Sequence, residues 1–152
     1  MITIERFVEG LRAIPEAAFT HERVDAYLRD HPVDPASLAP YLGYSPTHYT
    51  RNLIDRTPLY ELLSICWDVG QVSPIHNHAG QRCWMAVPIG RLAVQNYAVV
   101  GEDAARGFCE LREADRLTMD PAHPAHVEAE RPIHAVLNPK EHGARATSLH
   151  IY

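Results

Sequence analysis

The chain has 152 residues, 46% of them hydrophobic, and a formal net charge of −5, enough apolar material for a single-domain core without disulfide staples. Its Lys and Arg residues are scattered, which excludes a nucleic-acid footprint or a membrane-binding face. No apolar run approaches the ~20 residues that cross a bilayer.

In chain order, Ile4, Phe7, Val8, Leu11 and Ile14 fall on one face at helical spacing, and Pro15 closes the segment. The acids within this N-terminal pattern argue against a signal peptide. Thr20 followed by Glu22, Val24, Tyr27 and Leu28 predicts a second short helix, ended by His31-Pro32. Asp34-Pro35 supplies an N-cap with proline at the first helical position, so a third helix is expected to about Leu42. After Pro46 the chain breaks into short apolar stretches separated by Gly, Pro, Asn and Asp. They run Tyr60–Trp67, Arg82–Val87, Leu92–Val100, Phe108–Leu111, Ala125–Glu128, His134–Leu137 and Ala146–Tyr152. Regular short strands with frequent turns predict a barrel or sandwich. The expectation is one mainly β domain over 1–152, a helical flank at 1–45 followed by a β-barrel at 46–152. Cys66, Cys83 and Cys109 are irregularly spaced and form no CxxC, so a reduced, cytoplasmic protein is expected.

Ten histidines are many for this length. His76 and His78 are two apart, so on a strand both imidazoles point to one face. A third ligand must come from elsewhere, and among five later histidines His134 is chosen because it opens a strand and precedes Asn138 by four. His123 and His126 sit in a Pro-rich stretch and are read as loop residues; His21, His31, His48 and His142 are read as ordinary surface histidines. Gly70, His76, His78 and Gly90 resemble the first motif of the cupin superfamily, and His134 with Asn138 resembles the end of the second. That resemblance implies a cupin (jelly-roll) β-barrel. Where the cupin motif has Glu, this chain has Cys83. The site therefore has three neutral imidazoles, with the metal's charge left for an anionic substrate. Iron(II) oxygenases more often use two His and a carboxylate, and zinc remains the inorganic rival.

Four segments resemble the cysteine dioxygenase family of three-histidine thiol dioxygenases. They are Tyr49-Thr-Arg-Asn-Leu-Ile-Asp55, Cys66-Trp67, His76-x-His78 with Cys83, and Ser148-Leu-His150-Ile-Tyr152. The resemblance implies Fe(II) on His76, His78 and His134, with Trp67 close behind the ligands. It implies that Arg51 clamps the substrate carboxylate, a role suited to a guanidinium fork, and that Tyr49 adds a hydroxyl from the same strand face. Relatives that prefer mercaptopropionate carry Gln at the position of Arg51, which points this chain toward cysteine. Ser148, His150 and Tyr152 would form a relay ending at a hydroxyl near the metal. In one branch of the family the Cys matching Cys83 is joined by a thioether to the Tyr matching Tyr152. The family continues past that Tyr, so an end at Tyr152 leads us to expect a free carboxylate beside the site and a more open cleft.

The expected activity is oxygenation of cysteine, or a closely related carboxylate-bearing thiol, by O2 to the sulfinic acid. The expected partners are that thiol and O2, with no nucleic acid and no membrane, in a monomer or dimer. Two rivals stand beside it: a non-catalytic cupin that binds a metal or thiol metabolite, and a three-histidine cupin acting on a modified or larger thiol.

Overall fold

Thr3 opens the first helix, α1 (Ile4–Arg12), its hydroxyl accepting from the Arg6 N–H, and Thr20 caps α2 (His21–Asp30) through the Arg23 N–H. The computed structural model of the chain describes residues 1–126 and 132–152. The expected third helix, Pro35–Tyr41, is a 3-10 turn rather than an α-helix. Asp34 caps it as predicted, but Pro40 inside it removes an amide donor and crowds the preceding turn, which bars the α-helical hydrogen bond.

Eight strands follow: β1 (Thr50–Arg56), β2 (Glu61–Trp67), β3 (Trp84–Ile89), β4 (Leu92–Asp103), β5 (Phe108–Met119), β6 (Ala125–His126), β7 (His134–Leu137) and β8 (Ala146–Ile151). The β5 strand runs well past the expected Phe108–Leu111 because its charged continuation pairs with β4 through Leu92↔Met119. The remainder of the expected stretch Ala125–Glu128 lies outside the described residues. The strands form a five-stranded sheet, β1-β2-β8-β3-β6, and a three-stranded sheet, β5-β4-β7, with antiparallel neighbours.

The larger sheet is buried on both faces. Leu63, Ile65 and Trp67 of β2, with Met85 and Val87 of β3, pack against Leu92, Val94, Met119 and Val136 of the smaller sheet. On the opposite face Leu62, Trp84, Leu149 and Ile151 pack against Ile4, Phe7, Leu11, Val24 and Leu28 of the helical flank. Each fully buried Leu, Ile or Phe contributes roughly 1.5–3 kcal/mol relative to exposure. Arg12 of α1 is ion-paired with buried Asp55 of β1, which also accepts from the Tyr60 hydroxyl at 2.7 Å. This joint fixes the flank to the sheet edge, and it holds the Asp55 carboxyl below its ordinary value, chiefly through the Arg12 hydrogen bond. Gly90 turns the chain from β3 into β4 at φ +74°, where a Cβ would lie 2.5 Å from the Arg145 carbonyl oxygen.

Candidate metal centre and the cleft above it

His76 and His78 do not sit on a regular strand as expected. The segment after Gly70 runs antiparallel to β7 through only two isolated bridges, Val72↔Leu137 and His76↔His134. Pro74 lies between them and has no N–H to donate, so the ladder is interrupted. The segment is nonetheless pinned: Gly70 N–H donates to the Asn138 carbonyl at 2.7 Å, and the Ser73 N–H to that of Val136 at 2.8 Å. His76 and His134 exchange both backbone hydrogen bonds at 3.0 Å. That reciprocal pair sets the first and third histidines directly opposite each other.

The rings converge. One ligand atom from each of His76, His78 and His134 lies within 4.8 Å of the others, and the His78 and His134 Nε2 atoms are 3.4 Å apart. His76 Nδ1 lies 2.8 Å from the Pro74 carbonyl and His134 Nδ1 3.2 Å from that of Pro132. A carbonyl only accepts, so both Nδ1 atoms carry the proton and both Nε2 atoms present lone pairs. Burial, then the neighbouring imidazoles, pushes His78 and His134 down to about 4. Both are neutral at pH 7, the state that binds a metal. No carboxylate joins this group among the described residues. Burial pushes the Cys83 thiol up to about 12, so it stays protonated and adds no thiolate ligand. Three converging imidazoles, two of them with Nδ1–H held on a backbone carbonyl, fit a divalent transition metal.

Beside this group a hydrogen-bonded row crosses the barrel interior. Trp67 Nε1–H donates to Ser148 Oγ at 2.9 Å, Ser148 Oγ lies 2.9 Å from His150 Nε2, and His150 Nδ1 lies 3.1 Å from the Tyr152 hydroxyl. Indole can only donate, so Ser148 Oγ accepts from Trp67 and keeps a proton and a second lone pair for His150 Nε2. A neutral His150 carries one ring proton, so it donates to one of Ser148 and Tyr152 and accepts from the other. Burial above all drives His150 down to about 3 and the Tyr152 phenol far above its ordinary value, so both remain neutral. The Tyr152 ring lies 5.2 Å from that of His78.

Arg51 extends from β1 with its guanidinium carbon 5.5 Å from the Tyr152 ring centre. It has no carboxylate partner among the described residues. Tyr49 lies one residue before β1 and stacks on Trp67 with ring centres 4.5 Å apart. Tyr49 and Arg51 both act electrostatically on Tyr152, and of the two only Arg51 lines the cleft. Cys83 is buried in the cluster against which Tyr152 packs. The cleft has a volume of about 930 Å³, and Glu16, Phe19, Tyr60, Arg82 and Trp84 line it together with Arg51, His76, His78 and Tyr152. Those first five residues were not singled out from the sequence. Arg82 adjoins Cys83, but Glu16 and Phe19 come from the helical flank, whose approach to the cleft no motif announces. His21 and His31, expected at the surface, are half-buried against Trp84 and Tyr27.

The cysteine dioxygenase type I family model matches residues 6–152. The chain belongs to that family. Human cysteine dioxygenase type 1 is 27% identical over 132 residues, a match covering 86% of this chain and 64% of the human protein. The zebrafish cysteine dioxygenase type 1 is 23% identical over 152 residues, covering 99% and 74%. The chain thus spans just under two thirds of the human relative's length. A cupin superfamily protein from Desulfitobacterium hafniense superposes with a TM-score of 0.53 at 14% identity, over 80% of this chain and 89% of that one. At that identity the likeness speaks for the fold alone, and the fold is the cupin barrel expected. Within this cysteine dioxygenase family member, Arg51, His76, His78 and Tyr152 of the quoted segments line one cleft, whereas Asp55 faces Arg12 of the helical flank and Cys66 lies against Asn52 and Thr147.

Proposed function

We propose that this protein is a thiol dioxygenase that converts cysteine, or a closely related carboxylate-bearing thiol, and O2 to the sulfinic acid, with Fe(II) held by His76, His78 and His134. The observation that carries it is the imidazole triad, joined by no carboxylate among the described residues, with Arg51 lining the same cleft as His76 and His78 and paired with no described carboxylate. When bound, iron supplies open coordination positions and the electrons that let triplet O2 react with a closed-shell thiol. Three neutral ligands leave its positive charge uncompensated, which favours an anionic sulfur donor.

The chain's own residues do the rest. Arg51 takes the substrate carboxylate in a bidentate fork and so fixes which way the sulfur faces. The Tyr152 hydroxyl donates its proton to oxygen during transfer to sulfur, with His150 Nδ1–H donating to the Tyr152 oxygen in that step. Ser148 and Trp67 hold the His150 ring in place behind it. Overall R–SH + O2 gives R–SO2H: sulfur loses four electrons, O2 gains four, both oxygen atoms end on sulfur, and no external reductant is needed.

Cys83 packed near Tyr152 supports a thioether between them. Forming it removes the thiol hydrogen and one ring hydrogen, with O2 as oxidant, so intact mass after aerobic turnover should show the loss of two hydrogens. Cys66, Cys83 and Cys109 are free thiols, which supports a cytoplasmic setting. The deciding experiment loads the protein anaerobically with Fe(II), adds cysteine, mercaptopropionate, cysteamine or homocysteine, and admits O2. Stoichiometric O2 uptake with sulfinate from a carboxylate-bearing thiol is expected; no sulfinate from any of them overturns the proposal.

A further inference from the structure

The segment that carries His76 and His78 has almost no hydrophobic anchor. Among residues 68–82 Ser73 alone is buried, at 7% exposure. The apolar side chains beside it point outward instead: Val72 is 49% exposed and Ile75 48%. Burial of hydrocarbon therefore does little to fix this stretch, and its position depends on hydrogen bonds.

The pairing with β7 is irregular where those bonds matter most. From Val72 to His76 the segment takes four steps, while the facing stretch from Leu137 back to His134 takes three. The segment thus bulges by one residue, a distortion that re-aims side chains beside functional sites. Pro74 lies within the bulge and has no N–H to give. Ser73 repairs the interrupted ladder. Its N–H donates to the Val136 carbonyl at 2.8 Å, and its Oγ accepts from the Val136 N–H at 2.9 Å. The hydroxyl takes the place of a main-chain acceptor for an amide on a buried residue.

The hydroxyl proton has one destination. An amide N–H only donates and a carbonyl only accepts, so Ser73 Oγ–H is given to the Pro74 carbonyl, 3.0 Å away. The same carbonyl takes the His76 Nδ1–H at 2.8 Å. A continuous path of hydrogen bonds therefore leads from the β7 backbone, through Ser73 and the Pro74 carbonyl, to the ring of the first histidine.

We infer that Ser73 is a positioning residue of the metal centre: its hydroxyl locks the bulge onto β7 and orients the carbonyl that holds the His76 ring, so the triad is preorganised before metal arrives. The inference rests on the metal-centre reading above and goes beyond it, because Ser73 is itself no ligand. Without the hydroxyl the Val136 N–H is left buried and unpaired, and the Pro74 peptide is free to turn, which takes His76 Nε2 off its aim.

The test measures anaerobic Fe(II) affinity of the full chain by competition with a coloured chelator, in wild type, S73A and S73T. In S73A Kd should rise about 10- to 100-fold, with the far-UV circular dichroism of the apo protein unchanged. S73T keeps the hydroxyl and should bind within about threefold of wild type. The Co(II) d–d absorption, which reads ligand number and geometry, should change in S73A and return in S73T. A folded S73A that binds Fe(II) within about twofold of wild type overturns the inference while leaving the dioxygenase reading standing. An S73T as weak as S73A does the same. If S73A does not fold, hydrogen exchange in the apo wild type decides. The Val136 amide should exchange slowly without metal; exchange that slows only when Zn(II) is added would make the metal, not Ser73, the organiser of the segment, and overturns the inference. A wild type that binds neither Fe(II) nor Co(II) overturns both readings.

Discussion

At the scale of single residues, the site depends on the hydrogen-bonded row from Trp67 through Ser148 and His150 to the Tyr152 hydroxyl. Replacing Tyr152 by Phe deletes that hydroxyl and little else. Y152F should retain metal content and fold while kcat falls about 10²–10⁴-fold, as read by O2 uptake beside metal analysis; wild-type kcat in Y152F would remove the hydroxyl from the mechanism. In the proposed reaction Arg51 makes a different kind of contribution, binding a part of the substrate that does not react. In R51Q, kcat/KM for cysteine should fall roughly 30- to 1,000-fold, with cysteamine, which has no carboxylate, changing far less. Equal losses for both thiols would show that Arg51 shapes the site rather than reading the carboxylate.

Between elements, the helical flank is part of the cleft as well as a cover for the sheet. Its attachment runs through Arg12 on α1, Asp55 on β1 and the Tyr60 hydroxyl just before β2. Asp55 has its carboxyl held below the ordinary 3.8, by the Arg12 hydrogen bond first and with help from Tyr60. A carboxyl lowered in the folded state stabilises the fold above its unfolded value and loses that contribution as pH falls through the folded one. The urea midpoint of the wild type should therefore drop on acidification below about pH 4. D55N should be less stable at pH 7, and the gap between the two proteins should narrow at pH 3. A gap that stays constant from pH 7 to pH 3 would assign the loss in D55N to packing rather than charge. The register of β1 with β2, Arg51↔Ile65 through Arg56↔Glu61, shifts between Leu53 and Asp55, and the strand takes Arg51 to the cleft and Asp55 to the flank.

Across the whole molecule, the three histidines draw on two segments 56 residues apart in the chain, so a bound metal clamps the 70–78 segment to β7. Metal that binds the folded state alone adds stability by mass action, about 2.7 kcal/mol at a hundredfold excess over Kd. Fe(II) should raise Tm, chelation should reverse the rise, and H134A should abolish it; an equal rise in H134A would place the metal elsewhere. Tm is read by anaerobic calorimetry.

Much of this was legible in the chain itself. The helix caps at Thr20 and Asp34, the Gly70 and Gly90 turns and the His76-x-His78 pair are local chemistry, set by residues within a few positions of each other. So were most strand positions, because turn residues bound them. What stayed hidden has a common cause. The sheet carrying β2 and β8 is buried on both faces, so its strands lack the hydrophobic alternation that would show which residues face the cleft. Pro74 broke the expected histidine strand, yet β7 supplied the hydrogen bonds that hold it extended. His134 was legible too, from the strand it opens and its spacing to Asn138, and the structure brings it to His76 and His78. That Tyr49 stacks on Trp67 and that Glu16 and Arg82 share a cleft with Arg51 follow from long-range pairing and packing. Sequence by itself determined the chemistry available; tertiary structure decided which of those groups meet, because their meeting depends on contacts between residues far apart in the chain.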